Sequence, residues 1–514
     1  MNRARHLFQS TVLVIFFLGL AKLTGLARAR LVGVRFGTSA AYDAFTAANQ
    51  LPEVFVTLIA GGALAAAFIP VYSAYLTSQP DGRPSNPLRL ANTILTLVLV
   101  ILGSISALGA LFAPWLCRVL LVPEFSPEQQ ALTAELMRII LLQTTLFGVS
   151  GVLSSVLNAH QHFALPALAP MALDLGYLIG LTLFVPTLGI HGLAWGTVVA
   201  GGLHILIQVP ALIRHRFRLR PALALELAGV REIIRLMGPR IVTLGMVQIA
   251  DLFIIRLASG LAAGSTSGYF YGYYLMQLPE TLFGTAIALV VFPTLAEQFN
   301  AGHLAAMKRT AVTALRIIWA LTIPAAAGLV LLGRPAIALF FGGGAFTAES
   351  TNLVYQVLVF LAVRIVSEAT LEIVARLFYA QHDTRTPMFA ALGWLVITVT
   401  LSYLLVGRLG VGGLALASTL AFTVQSTVLF WLNRRRLGSL EERTLLVTAG
   451  RILLATGVMS LVILLAQRFL TTPVLFLVVG GAAGLLTYLS LGLLLGGREL
   501  IALLTLARQR QLNI

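Results

Sequence analysis

Charge is what this chain most lacks. Asp, Glu, Lys and Arg make up 11% of its 514 residues and hydrophobic residues 58%, where a soluble chain carries about 25% charged residues. A soluble core cannot account for that balance, and the loops between apolar runs are too short for a large extramembrane domain. Cysteine is also scarce. Cys117 stands alone, which excludes a disulfide framework and a cysteine-based metal site. No phosphate-binding GxxxxGK[ST] run occurs, so the chain is not expected to hydrolyse nucleotides. The histidines His160, His162 and His382 lie near loops, without metal-ligand spacing. No paired carboxylates stand in a large loop, as a membrane glycosyltransferase would need. The chain therefore reads as a transporter rather than an enzyme, with no cofactor and no metal.

What is there is apolar sequence, with a mean hydropathy of +0.92. About 20 apolar residues make one helical crossing, and helices satisfy their own backbone in lipid where open strands cannot. Runs bounded by Gly, Pro or charge centre near residues 18, 60, 102, 145, 175, 201, 245, 283, 320, 362, 396, 422, 457 and 485. The fold class expected is an all-α integral membrane protein of about fourteen transmembrane helices. The first run follows Arg3 and Arg5 and lacks a small-residue cleavage site, so it reads as a retained helix rather than a signal peptide.

The net charge is +16, a balance that elsewhere suggests nucleic acid. Here most of the arginine falls in alternate loops. The basic segments are Arg3 and Arg5, then Arg214, Arg216, Arg218, Arg220 and Arg231, then Lys308 and Arg309, then Arg434, Arg435, Arg436 and Arg443, and finally Arg508 and Arg510. Fourteen spans place all of these on one side, so both termini are expected in the cytoplasm. Membrane lipids are expected as neighbours, and nucleic acid is not.

The chain repeats itself. Residues 158–197 align with 379–418 without a gap at an offset of 221, with ten of forty positions identical. Pro166 matches Pro387, and Gly189, Gly192, Leu193 and Ala194 match Gly410, Gly413, Leu414 and Ala415. Gln50-Leu51-Pro52-Glu53 recurs as Gln277-Leu278-Pro279-Glu280, and Pro70 recurs as Pro293. Spans one to six thus correspond to spans seven to twelve. An even number of helices per copy gives both copies the same orientation, a transporter design with two lobes. The expected divisions are a lobe over 1–220, a lobe over 221–440, and two further helices over 441–514.

Ionisable residues within spans mark function by default. Lys22, Arg28, Arg30 and Arg35 flank the end of span one, with Asp43 and Glu53 following and Gly25, Gly33 and Gly37 between them. Arg30 and Arg35 can snorkel to headgroups. Lys22 and Arg28 are expected to face a cavity, where several cations suit a polyanionic head such as a pyrophosphate. Asp43 is expected to pair with one of them. Pro52 and Pro279 each free a backbone carbonyl and mark candidate hinges. Asp251 and Arg256 lie five apart in span seven. In span ten Arg364, Glu368, Glu372 and Arg376 are each four apart, which suits an intrahelical ion ladder. Asp174 in span five is isolated and reads as either a proton carrier or a buried hydrogen-bonded carboxyl.

Several of these segments carry a family likeness. Lys22-Leu-Thr-Gly-Leu-Ala-Arg28, Phe36-Gly37, Tyr42-Asp43-Ala44-Phe45, Leu51-Pro52 and Ala65-Ala66-Ala67-Phe68-Ile69-Pro70 resemble the start of the MurJ/MviN family, lipid II flippases of the MOP exporter superfamily. Leu278-Pro279, Leu282-Phe283-Gly284, Phe292-Pro293, Phe378-Tyr379-Ala380 and Asp383-Thr384-Arg385-Thr386-Pro387 extend the resemblance over most of the chain. The resemblance implies export of undecaprenyl-pyrophosphate-linked peptidoglycan precursor from the inner to the outer leaflet. It implies a cationic central cavity and a groove for the lipid tail on the last two helices. Arg28 matches a family arginine needed for function, Lys22 stands where the family usually has arginine, and Asp43 matches the family aspartate. The chain also departs from the pattern. A second-helix arginine falls at Val56 or Thr57, and the charged patch of span eight reads Tyr273, Tyr274 and Gln277.

The expected substrate-binding set is Lys22, Arg28, Arg30, Asp43, Arg256 and Gln277, with Arg256 partly replacing the missing charge. The expected function is a lipid II flippase working by alternating access in the bacterial inner membrane, as a monomer. Without nucleotide hydrolysis, energy would come from membrane potential, a monovalent cation or product removal. The alternatives are a flippase for another polyprenyl-linked oligosaccharide or an ion-coupled drug exporter. The drug exporter would place a carboxylate, rather than a cation cluster, in its pocket.

Overall fold

The computed structural model describes residues 20, 23–60, 62–76, 86–215 and 217–496. The first apolar run, Lys22 and the tail arginines lie largely or wholly outside that set. Helix α1 covers 23–36. It is followed by α2 (Ala40–Leu76), α3 (Pro87–Leu111), α4 (Pro127–Ala159), α5 (Met171–Leu188) and α6 (Ile190–Arg214). Then come α7 (Ala228–Ala258), α8 (Ser265–Asn300) and α9 (Leu304–Phe341), and α10 (Ala348–Ala380). The last four are α11 (Arg385–Leu409), α12 (Val411–Leu437), α13 (Glu442–Phe469) and α14 (Pro473–Leu494).

Among the described residues there are eleven helices long and apolar enough to cross a membrane, and they fall on eleven of the expected runs. Helices α7 and α10 have 31 and 33 residues, long enough to span, but carry the charged residues noted above. No strand occurs among the described residues. The single bridge pairs Gly343 with Phe346.

Local chemistry sets the helix ends. Ser39, Asn86, Ser126 and Thr347 each accept a backbone N–H of the first turn, and Pro87 and Pro127 occupy the position where a missing N–H costs nothing. The repeat appears in the backbone as well. Gly189 and Gly410 join α5 to α6 and α11 to α12 with φ of 56° and 55°, a left-handed turn that glycine enters without strain. Gln161 and His382 close α4 and α10 at φ of 59° and 60°. Both pairs are related by the offset of 221. In α2 and α8, the Gln-Leu-Pro-Glu segment runs into a π-helical turn, Val56–Ala60 in one and Thr281–Thr285 in the other. A π turn re-aims the helix face after it and recurs at functional sites.

The chain divides into two compact units, Met1–Gly264 and Ser265–Ile514. This boundary differs from the lobe boundary expected near residue 220. Helix α7 packs against α2, α3 and the turn Leu116–Leu121, all in the first unit. The arginine-rich connection before it is laid along α3. Asn92 holds the Arg218 carbonyl and the Arg220 N–H, while Thr96 and Thr93 accept from Ala222 and Ala224. The first unit's core is built on Phe68, Tyr72, Leu90, Leu102 and Leu153. The second unit's core gathers Leu315, Ile373, Leu377, Phe378 and Leu429. Helices α13 and α14 pack through Ile452, Met459, Ile463 and Tyr488 against α9, leaving Phe469 and Leu494 81% and 82% exposed. Apolar surface of that extent needs hydrocarbon around it.

Small residues bring α5 and α6 together. Gly176 and Gly180 oppose Gly192, Gly196 and Ala200. A Cβ on Gly180 would lie 2.9 Å from the Gly196 Cα, and one on Gly176 would lie 2.6 Å from the Ala200 backbone. Two Gly-xxx-Gly pairs thus face each other, the close-approach packing that lipid favours because it offers no hydrophobic drive between helices.

Gly180→Ala should lower stability by about 1–3 kcal/mol through overpacking, whereas Gly202→Ala, with open space at its Cβ, should leave it unchanged. Thermal unfolding of the detergent-solubilised protein measures both. A second prediction concerns Asp383, between α10 and α11. Burial of this carboxylate opposes its ionisation. That effect is outweighed by hydrogen bonds from the Thr386 hydroxyl and backbone N–H and from Arg436, which hold its pKa at about 2. The folded value lies below the unfolded one, so the stabilisation is present above about pH 4 and fades as pH falls towards 2. Asp383→Ala should destabilise by about 1–2 kcal/mol at pH 7, and the deficit should shrink through that acid window.

Candidate functional site

In the first unit the candidate site is built on Arg28. Thr24 and Arg28 lie one turn apart on α1 and both reach Asp174 on α5. The Arg28 Nε is 3.2 Å from Asp174 Oδ1, and the Thr24 hydroxyl donates to Asp174 Oδ2. The guanidinium sits 4.6 Å from the centre of the Tyr177 ring, one turn along α5 from Asp174. Tyr177 in turn meets Phe45 edge-on. An aromatic face and a carboxylate thus hold the cation from two sides. Asp174 is buried, with 7% of its side chain exposed, while Arg28 keeps 21%. Arginine has five N–H donors in a fixed fork, and Asp174 engages the Nε edge. Among the described residues the other donors have no hydrogen-bond partner, and they can serve an anion. Glu53 on α2 lies within electrostatic reach of Arg28, is exposed and accepts from Asn49 at 3.3 Å.

The other expected site residues have different places. Asp43 is 1% exposed, and its carboxylate accepts the Gly264 backbone N–H at 2.5 Å. Gly264 has φ of 93°, and a Cβ there would lie 2.5 Å from the Thr38 carbonyl. Asp43 therefore ties the turn after α7 to the start of α2, and the carboxylate paired with Arg28 is that of Asp174. Arg30 and Arg35 are exposed on α1. Arg256 donates to the Val119 and Leu120 carbonyls. It satisfies acceptors at the end of the Leu116–Leu121 π turn, which departs from the substrate-facing role expected for it. Val56 and Thr57 open the π turn of α2.

In the second unit Gln277 does enter a polar network. Its amide donates to the Tyr273 hydroxyl at 2.9 Å and to Glu368 at 3.4 Å. Arg364, 7% exposed, pairs with Glu368 at 2.9 Å and donates to Ser418 on α12 at 2.8 Å. Its guanidinium lies over Phe422 at 4.0 Å and Tyr273 at 5.2 Å. One turn on, Arg376 pairs with Glu372. This is the ion ladder expected from the spacing, and it is closed on itself: each arginine has an acid on its own helix. Breaking such a buried pair costs far more than its net contribution, so the ladder reads as scaffold around Gln277. Pro52 and Pro279 both lie inside continuous helix just before the π turns. Among the described residues, no group of three His, Cys, Asp or Glu is placed to hold a metal ion.

Comparison with known proteins agrees with this architecture. A family model described as lipid II flippase MurJ matches residues 33–481. A lipid II flippase MurJ of Burkholderia cenocepacia is 28% identical over 438 residues, 84% of each chain. A probable lipid II flippase MurJ of Bdellovibrio bacteriovorus is 29% identical over 439 residues, 85% of this chain and 83% of the relative. A solved lipid II flippase MurJ in an inward closed conformation superposes with a TM-score of 0.81 at 23% identity, covering 95% of this chain and all of that one. An inward-facing multidrug resistance MATE family transporter of the MOP superfamily gives 0.66 at 17% identity, over 82% and 96% of the two chains. The family match spans most of the chain and takes in both units, both Gln-Leu-Pro-Glu segments and Asp174; the chain belongs to the lipid II flippase MurJ family.

Proposed function

We propose that this protein moves lipid II, a polyprenyl-pyrophosphate-linked peptidoglycan precursor, from the inner to the outer leaflet of the bacterial cytoplasmic membrane. The observation that carries the reading is Arg28, a cation inside an apolar helix bundle, fixed by Asp174 and Tyr177 with part of its donor fork open. A charge so placed is costly unless matched, and a pyrophosphate is an anion that can match it bidentately. Lys22, six residues before Arg28 in the sequence, would supply a second cation. The proline-plus-π-turn segments of α2 and α8 are the bending elements for alternating access. Helices α13 and α14, apolar on their exposed faces, form the side on which the polyprenyl tail runs. Basic loops put both termini in the cytoplasm, and the protein works as a monomer. Membrane potential or a monovalent cation supplies the energy.

A different polyprenyl-linked oligosaccharide would use the same anion site, and the departures at Tyr273 and Tyr274 bear on which glycan fits. Drug antiport fits less well, because the central carboxylate of the first unit, Asp174, is already committed to Arg28.

Arg28→Ala should abolish rescue of a flippase-depleted bacterium while its membrane abundance stays at the wild-type level. Rescue equal to wild type would overturn the assignment. Asp174→Asn should be milder, since the guanidinium remains. Losing one charge-assisted hydrogen bond of about 1.5–3 kcal/mol should weaken substrate binding about 10- to 100-fold, read as precursor accumulation at limiting expression.

A further inference from the structure

The two copies of Gln-Leu-Pro-Glu end in glutamates that differ in solvent access. Glu53 is exposed. Glu280 is 3% exposed, sealed where the Thr281–Thr285 π turn of α8 packs on α10. Among the described residues its carboxylate accepts from the Thr285 hydroxyl alone, at 3.2 and 3.3 Å to its two oxygens. One hydroxyl proton serves one oxygen at a time, whereas an ionised carboxylate offers about four acceptor sites. The space beside it is closed. A Cβ on Gly284 would lie 2.6 Å from Glu280 Oε1 and 2.8 Å from the Ala369 Cβ.

The arginines of α10 near Glu280 are already matched. The charged groups of that helix that face it are Arg364, Glu368 and Glu372, and Arg364 and Arg376 are each bonded to an acid of their own helix. Helix α8 itself adds the neutral Tyr273, α9 carries Arg316, and the stretch of α12 that packs here brings Ser418, which is occupied by Arg364. Each pair on α10 is neutral in itself, so that helix has no net positive charge left for Glu280. A carboxylate buried with a single hydroxyl donor is costly to keep ionised, and one proton removes that cost.

We propose that Glu280 is a proton-binding site of the second unit. It holds one proton in the arrangement seen here, with the carboxyl O–H and the Thr285 hydroxyl sharing a hydrogen bond. It returns that proton to water when bending at Pro279, the residue just before it, opens the π turn to solvent. Proton binding and the shape of α8 are then linked equilibria, each biasing the other. That the linkage drives transport rests on the flippase reading above; the proton site itself does not.

The test is infrared difference spectroscopy on the purified full-length protein near neutral pH, in H2O and D2O. The wild type should show a deuterium-sensitive C=O stretch of protonated carboxylic acid with a component that Glu280→Gln lacks and Glu53→Gln retains. Glu280→Asp should shift the band rather than remove it, which covers the case of a poorly folded glutamine variant. An unchanged band in Glu280→Gln, or displacement of the band by Na+ at fixed pH, would overturn the proposal. In proteoliposomes, lipid II translocation by Glu280→Gln should lose its response to an imposed pH gradient. Absence of translocation by the wild type would count against the flippase reading alone, since the infrared band is read without transport.

Discussion

A charge inside hydrocarbon has to be neutralised by something close to it, and most of the polar interior of this protein follows from that requirement. Arg28 is matched by Asp174 and an aromatic face. Arg364 and Arg376 are matched by acids one turn away. Arg256 is matched by two backbone carbonyls at the end of a π turn. Asp43 is matched by a backbone N–H. These solutions differ in how much donor or acceptor capacity they leave over. The ladder on α10 leaves little. The Arg28 site leaves part of a guanidinium fork, and that remainder is what a pyrophosphate can use.

The same constraint acts on the backbone. Proline within α2 and α8 frees a carbonyl in each, and both helices answer with a π turn soon after. Such a turn adds a residue to the hydrogen-bonded loop and rotates everything beyond it. Two helices carry this interruption at matching repeat positions, which is where the proposed bending is placed. The α5–α6 pair has the opposite character. Facing glycines bring its backbones into close contact. The asymmetry between units then lies in side chains rather than in backbone: Glu53 exposed and Glu280 sealed, an open cation in one unit and a closed ladder in the other.

Much of this was legible in the sequence, and the reason is periodicity. Apolar runs located the helices. The offset of 221 matched Gly189 with Gly410, and the structure gives the two φ values one degree apart. The four-residue spacing from Arg364 to Arg376 predicted intrahelical pairs. What periodicity cannot convey is which distant residue meets which. Asp174 is far from Arg28 in sequence, and nothing local distinguishes it from an isolated buried acid. The nearer candidate, Asp43, is taken up by Gly264, some 221 positions away. Arg256 read as a substitute for missing charge because its partners are carbonyls, which every residue has. Identical Gln-Leu-Pro-Glu segments gave no hint that one glutamate would be exposed and the other buried. The two Gly-xxx-Gly pairs, by contrast, were present as a local signal of close helix packing.

The central claim is that an incompletely satisfied cation in the first unit serves a lipid-linked pyrophosphate. The most direct measurement is translocation of labelled lipid II across liposomes containing only the purified protein, compared with an analogue whose pyrophosphate is replaced by a neutral linker. The account predicts transport of lipid II and little or none of the neutral analogue. Equal transport of both, or transport of neither, would contradict it.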